Sequence, residues 1–153
     1  DSVALRPRFS RSTEKGWLGM ASISAIQSMD HRSATKLRKA GVRTTDSLLK
    51  LASTRTGRRR LARETGLPEA DILRWANRAD LLRISGVGSE YADLLEVAGV
   101  DTIRELRRRN PDRLLETMTE LNLRKRLVRR LPTDAMVREW VEEAKQLEPL
   151  VTH

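Results

Sequence analysis

The chain of 153 residues repeats itself, and this constrains its fold more than any other feature. Ile84, Leu95 and Ala98-Gly99-Val100 have counterparts 58 positions earlier in Ile26, Leu37 and Ala40-Gly41-Val42. A second echo follows in the same order: Leu67-Pro68, Ile72, Trp75 and Ala79 return as Leu131-Pro132, Val137, Trp140 and Ala144. The second offset grows from 64 to 65, which marks one inserted residue. The chain therefore reads as two copies of one small unit.

That unit is helical. Tyr91, Leu94, Leu95 and Ala98 recur at i, i+3, i+4 and i+7, as do Ile72, Trp75, Ala76 and Ala79, and Val137, Trp140, Val141 and Ala144. No stretch alternates cleanly over the length of a strand. Start signals agree: Asn110-Pro111 is a cap followed by a first-turn proline, Thr102-x-x-Glu105 fits a capping box, and Pro68 and Pro132 suit first turns. The expected fold is all-α, a compact tandem duplication over residues 20–80 and 81–148 with a short tail at 149–153. Residues 1–19 lack helical periodicity and carry Arg6, Arg8, Arg11 and Lys15. They read as a basic arm, a processed leader or an appended remnant. Trp75 and Trp140 fall on apolar faces and are expected in the core.

Composition narrows the chemistry. Cysteine is absent and only His31 and His153 supply imidazoles, so nothing forms a metal cluster or a nucleophile–base pair. No apolar run approaches the ~20 residues of a membrane helix. The expectation is a protein that is not an enzyme, with no cofactor and no metal, in the cytoplasm, with association with the nucleoid as an option. The net charge of +9 is lopsided: residues 1–78 hold 17 Lys and Arg against 7 Asp and Glu, residues 79–153 hold 13 against 14. A polyanionic partner for the first half follows from that imbalance.

Ile84-Ser85-Gly86-Val87-Gly88, then an amphipathic helix, then Ala98-Gly99-Val100, resembles the helix-hairpin-helix family. The resemblance implies that Gly86 and Gly88 let the backbone turn tightly and that amides over Ser85–Ser89 meet a phosphate oxygen. Val87 would point inward and Gly99 would leave the helix left-handed. The upstream copy departs from the pattern, since Ser28, Met29 and Asp30 replace Gly86, Val87 and Gly88. Asp30 puts a carboxylate where phosphate would approach. Over roughly residues 23–147 the chain also resembles a bacterial domain family of unknown function that pairs two such units. Thr54-Arg55-Thr56-Gly57-Arg58 with Leu61-Ala62, Ile72-Leu73-x-Trp75 and the closing Trp140 helix carry that likeness.

Three arginine-rich runs complete the reading. Arg55, Arg58, Arg59, Arg60 and Arg63 surround Gly57; Arg104, Arg107, Arg108, Arg109 and Arg113 flank Asn110-Pro111; Arg124, Lys125, Arg126, Arg129 and Arg130 precede Leu131-Pro132. Such runs form a solvated face or grip phosphates without reading bases. The last run has Asp134, Glu139, Glu142 and Glu143 close by for internal pairing. The expected function is sequence-tolerant nucleic-acid binding, DNA before RNA, through Arg83, Ser85, Gly86, Val87, Gly88, Ser89 and the arginines of residues 55–63. The alternative is a protein-interaction module or small accessory subunit whose basic half meets an acidic protein.

Overall fold

A computed structural model describes residues 21–153; the arm expected over residues 1–19 lies outside them. Among the described residues the chain is all-helical, with eight α-helices, one 3-10 turn at Ile23–Ala25 and no strand. The helices are α1 (His31–Lys39), α2 (Thr45–Ala52), α3 (Arg55–Thr65), α4 (Glu69–Leu81), α5 (Ser89–Val97), α6 (Ile103–Arg107), α7 (Pro111–Lys125) and α8 (Asp134–Gln146). None of them is long and apolar enough to cross a membrane. The described residues divide into two compact units, residues 21–79 with Leu150–His153, and Asp80–Pro149.

The repeated Ala-Gly-Val has a mechanical meaning. Gly41 and Gly99 both adopt φ +93°, just past α1 and α5. The amides of Val42 and Val100 reach back to Leu37 and Leu95 at 2.9 and 2.8 Å, and those of Gly41 and Gly99 to Arg38 and Glu96, each at 3.0 Å. This is the double-bonded helix ending that a left-handed glycine permits, sealed by a buried residue after it. Val42 and Val100 are fully buried. The chain then turns into α2 and α6 through Thr44 and Thr102, whose hydroxyls accept from Ser47 and Glu105 N–H. The Glu105 carboxylate does not accept from Thr102 N–H as a capping box would: it accepts from Asp101 N–H at 3.0 Å and from the Thr102 hydroxyl at 3.4 Å.

In the first unit α2 packs against α3, and Ile23, Ile26, Leu37, Leu48, Ile72 and Trp75 are buried. Gly57 makes the close approach possible: a Cβ there would lie 2.2 Å from the Leu51 carbonyl oxygen. Residues 150–153 join this unit, with Thr152 N–H donating to Ser53 O at 2.8 Å and Val151 buried.

In the second unit α8 packs on α6 and α7, and α5 packs on α7. Trp140 is 1% exposed, and its ring tilts against Tyr91 with centroids 5.3 Å apart. Both tryptophans read as core are therefore core, Trp75 being 2% exposed. The prolines stand further out than first-turn positions. Pro68 immediately precedes α4, while Pro132 lies two residues before α8. Thr133, the residue inserted in the second copy, caps α8 by accepting from Met136 N–H at 3.1 Å.

Candidate nucleic-acid interface

The turn between α4 and α5 belongs to the second unit. Ile84 and Val87 are buried, so the inward valine expected from sequence is in place, and Val87 N–H donates to Ile84 O at 3.1 Å. Gly86 stands outside with φ +85°, and a Cβ on it would meet Trp140 Nε1 at 3.2 Å. Gly88 is the N-cap of α5, in extended backbone (φ −91°, ψ −174°) that any residue adopts. It has nothing within 4 Å of where a Cβ would sit. No side chain caps α5.

Six of the other helix starts are closed by the chain's own oxygen atoms. Asp30, Thr44, Thr54, Thr102, Asn110 and Thr133 each accept from an amide in the first turn of α1, α2, α3, α6, α7 and α8. The contrast is clearest at aligned positions 30 and 88. The Asp30 carboxylate accepts from Ser33 N–H at 3.3 Å, and hydrogen bonding to Ser33, its side chain first and its amide after it, holds the Asp30 pKa below the usual aspartate value. The first copy thus carries its own anion at the place where the second presents bare glycine.

Other residues of the turn are engaged. Ser85 N–H donates to the Glu143 carboxylate at 3.1 Å, so this amide is occupied from within. Ser89 keeps a buried hydroxyl oxygen with no partner. Arg83 is turned inward, pairing with Asp80 at 2.9 Å and donating to Glu148 O at 2.8 Å. It latches the turn rather than facing outward. Glu90, exposed in the first turn of α5, adds a negative charge beside the open amides.

Of the five arginines around Gly57, one is misassigned by sequence. Arg58 is 4% exposed, and its guanidinium donates to Ala52 O at 2.9 Å, Ser53 O at 3.1 Å and Thr152 O at 2.6 Å. It seals the C-terminal end of α2 and ties residue 152 to it, so it has no donor face for a phosphate. Burial draws its pKa down, with Arg55 acting the same way. The sequence did hold a signal: Arg58 is three residues before buried Leu61, on the apolar face of α3. Arg55, Arg59, Arg60 and Arg63 are exposed. Arg59 has a loose, solvent-exposed contact with Glu69 at 3.8 Å, and Arg55 a long one to His153 O at 3.5 Å.

The same use of arginine recurs in the second unit. Arg107 donates to Ala144 O and Leu147 O at 3.2 and 2.6 Å, and Arg109 to Ala98 O at 3.2 Å. Both guanidinium groups close the C-terminal ends of helices, where carbonyls are unsatisfied and the dipole is negative. Composition gives no hint of this third role. A shallow cleft of about 480 Å³ on α7 is lined by Asp112, Leu115, Glu116, Thr119 and Glu120, a carboxylate surface that repels phosphate. Among the described residues no three His, Asp or Glu side chains converge as metal ligands.

No curated protein and no solved structure matches the chain. A family model does, over residues 12–147, a span that also takes in part of the segment read as an arm. The chain belongs to the DUF4332 family, a domain of unknown function.

Proposed function

We propose that the protein is a non-catalytic, sequence-tolerant binder of the nucleic-acid phosphate backbone, DNA before RNA, acting in the cytoplasm. On this reading each unit carries a helix-hairpin-helix-type turn, and the one in the second unit receives phosphate. The observation that carries the reading is the contrast between positions 30 and 88. Asp30 fills its helix start with a carboxylate, while Gly88 leaves that of α5 open to an external anion. In the first unit, Arg55, Arg59, Arg60 and Arg63 of α3 supply independent, exposed phosphate contacts.

A second reading has one observation in its favour. Glu143 already occupies the Ser85 amide and Glu90 stands beside the open turn. Both disfavour phosphate there and leave the α3 arginines to meet an acidic protein.

Gly88→Asp separates the two. The backbone at 88 accepts any residue and the site is open, so the aspartate caps α5 as Asp30 caps α1 and stability is kept or raised slightly. Fluorescence anisotropy with labelled duplex DNA, single-stranded DNA and RNA, across a salt series, reads the outcome. Wild-type binding that falls steeply with salt and weakens about 10-fold in Gly88→Asp supports the hairpin. Equal affinity in the variant refutes it. No wild-type binding at low salt turns the function over to the acidic-protein reading.

A further inference from the structure

We infer that residues 124–130 form a second, pre-shaped contact for the nucleic-acid backbone, beside the open start of α5. The inference rests on the proposed reading of the protein as a nucleic-acid binder. It also places the cations that the nearly neutral second unit otherwise lacks around its hairpin.

Arg124, Lys125, Arg126, Arg129 and Arg130 are all exposed. The acids that follow them in sequence do not neutralise them. Asp134 pairs with Arg138 at 2.8 Å, Glu142 with Lys145 at 3.7 Å, and Glu143 accepts from Ser85 N–H. Internal pairing, expected for this run from sequence, is absent among the described residues. Apart from Arg113, α7 carries only acids before its last turn, Asp112, Glu116 and Glu120, and the other cations gather at and beyond that turn.

The backbone here is shaped at a cost. Arg126 is the one non-glycine with positive φ among the described residues (φ 50°, ψ 49°). Such geometry disfavours any residue with a Cβ. The matching helix end in the first copy, the C-cap of α3, has Gly66 at φ 77°. Both make the same bond, N–H to the carbonyl four residues back, at 2.8 Å. Gly66 runs straight into Leu67-Pro68, whereas four residues, Leu127 to Arg130, separate Arg126 from Leu131-Pro132. The insertion is also clamped. The Asn122 side chain donates to Val128 O at 3.1 Å and accepts from Val128 N–H at 3.0 Å, with Val128 buried. An arginine held where glycine fits best, in a braced insertion carrying two more, is a surface shaped for a ligand rather than for stability.

Tyr91 joins this loop to the hairpin. Its hydroxyl donates to Arg130 O at 3.0 Å from the first turn of α5. Its ring packs on Trp140, the residue against which Gly86 is fitted. The open amides and the end of the basic loop are therefore tied through one rigid aromatic pair. Four of the five cations are arginines, whose planar forks match phosphate oxygen pairs. Leu123, 76% exposed, is the one strongly exposed apolar side chain beside them. A single leucine gives too little apolar area to hold a membrane surface, so the backbone of a duplex is the better occupant.

The test uses the full chain in the same anisotropy assay, with a labelled duplex and, separately, vesicles containing anionic phospholipid. Replacing Arg124, Arg126, Arg129 and Arg130 by Gln is expected to lower duplex affinity roughly 10- to 100-fold near 0.1 M salt. The slope of log affinity against log salt should fall by about 3.6, about 0.9 for each of the four phosphates left without its arginine. Arg126→Gly alone is expected to raise Tm by about 2–4 °C while weakening binding. If Gly88→Asp loses binding and the four-site variant does not, the loop inference fails and the hairpin reading stands. The reverse result supports the loop and refutes the hairpin. Binding to vesicles without binding to duplex overturns both.

Discussion

Gly57→Ala tests the packing argument where two physical effects oppose each other. Gly57 is the third residue of α3. On a free helix surface, alanine in its place stabilises by about 1 kcal/mol. Here the new methyl group would lie 2.2 Å from the Leu51 carbonyl oxygen and 3.2 Å from the Thr54 hydroxyl, which caps α3 through Gly57 N–H. The carbonyl must retreat by about 1 Å to reach an ordinary contact. It belongs to the last turn of α2, which is joined to α3 only through Ser53 and Thr54. Overpacking of this kind costs about 1–3 kcal/mol. The retreat also stretches the Arg58 bonds to Ala52 O and Ser53 O, each a charge-assisted bond of about 1.5–3 kcal/mol. The net expectation is a loss of about 2–4 kcal/mol, the reverse in sign of what helix propensity alone predicts. Urea unfolding followed by far-ultraviolet circular dichroism measures it, with Gly66→Ala as the matched control. Gly66 has φ +77° and open space, so its variant should lose only about 1 kcal/mol. A Gly57→Ala protein as stable as wild type would refute the close approach of α2 and α3.

Arg58→Lys keeps the charge but cannot reach three carbonyls as a planar fork, and should cost about 2–3 kcal/mol of stability in the same assay. Deleting residues 150–153 removes buried Val151 and the Thr152 bonds with Arg58 and Ser53. Hydrogen exchange at the end of α2 and the start of α3 should accelerate, although those segments lie about a hundred positions away in sequence. Stability should also depend on pH near 6. Hydrogen bonding to Glu105, together with burial, pushes the Asp101 carboxyl up to about 6, while the Glu105 carboxyl is held below its usual value. The folded chain holds the Asp101 proton more tightly than the unfolded chain, so this group's contribution is full below about pH 4 and lost as pH rises through about 6. Asp101→Asn should therefore flatten the pH dependence of Tm between pH 5 and 7 and exceed wild type at pH 8. Parallel curves for the two proteins would refute the pairing.

Much of the fold was legible because the signals were local. Ala-Gly-Val marks a left-handed helix ending wherever an apolar residue follows the glycine, and both copies adopt it with the same φ. Asn110-Pro111 starts α7 as read, and the apolar spacing put Trp75 and Trp140 inside. What escaped were side chains whose partners are distant in sequence. Nothing near Ser85 announces Glu143, and nothing in an Arg-Arg-Arg run separates buried Arg58 from exposed Arg59 and Arg60 until the phase of α3 is fixed by Leu61. Charge counting also misled. The sum over residues 79–153 is near zero, yet five of its cations gather at the end of α7 and in the loop beyond it, past Asp112, Glu116 and Glu120. Only the fold shows which charges cancel.

Residues 150–153 complete the first unit although the whole second unit is encoded before them. During synthesis the second unit therefore emerges entire, with its Arg107 and Arg109 helix closures available, while Arg58 still lacks its Thr152 acceptor. Domains fold as units in the order in which they are finished. The first unit is thus completed after the second, which follows it in the chain, and until residue 152 clears the ribosome its α2–α3 corner is held by two carbonyls instead of three.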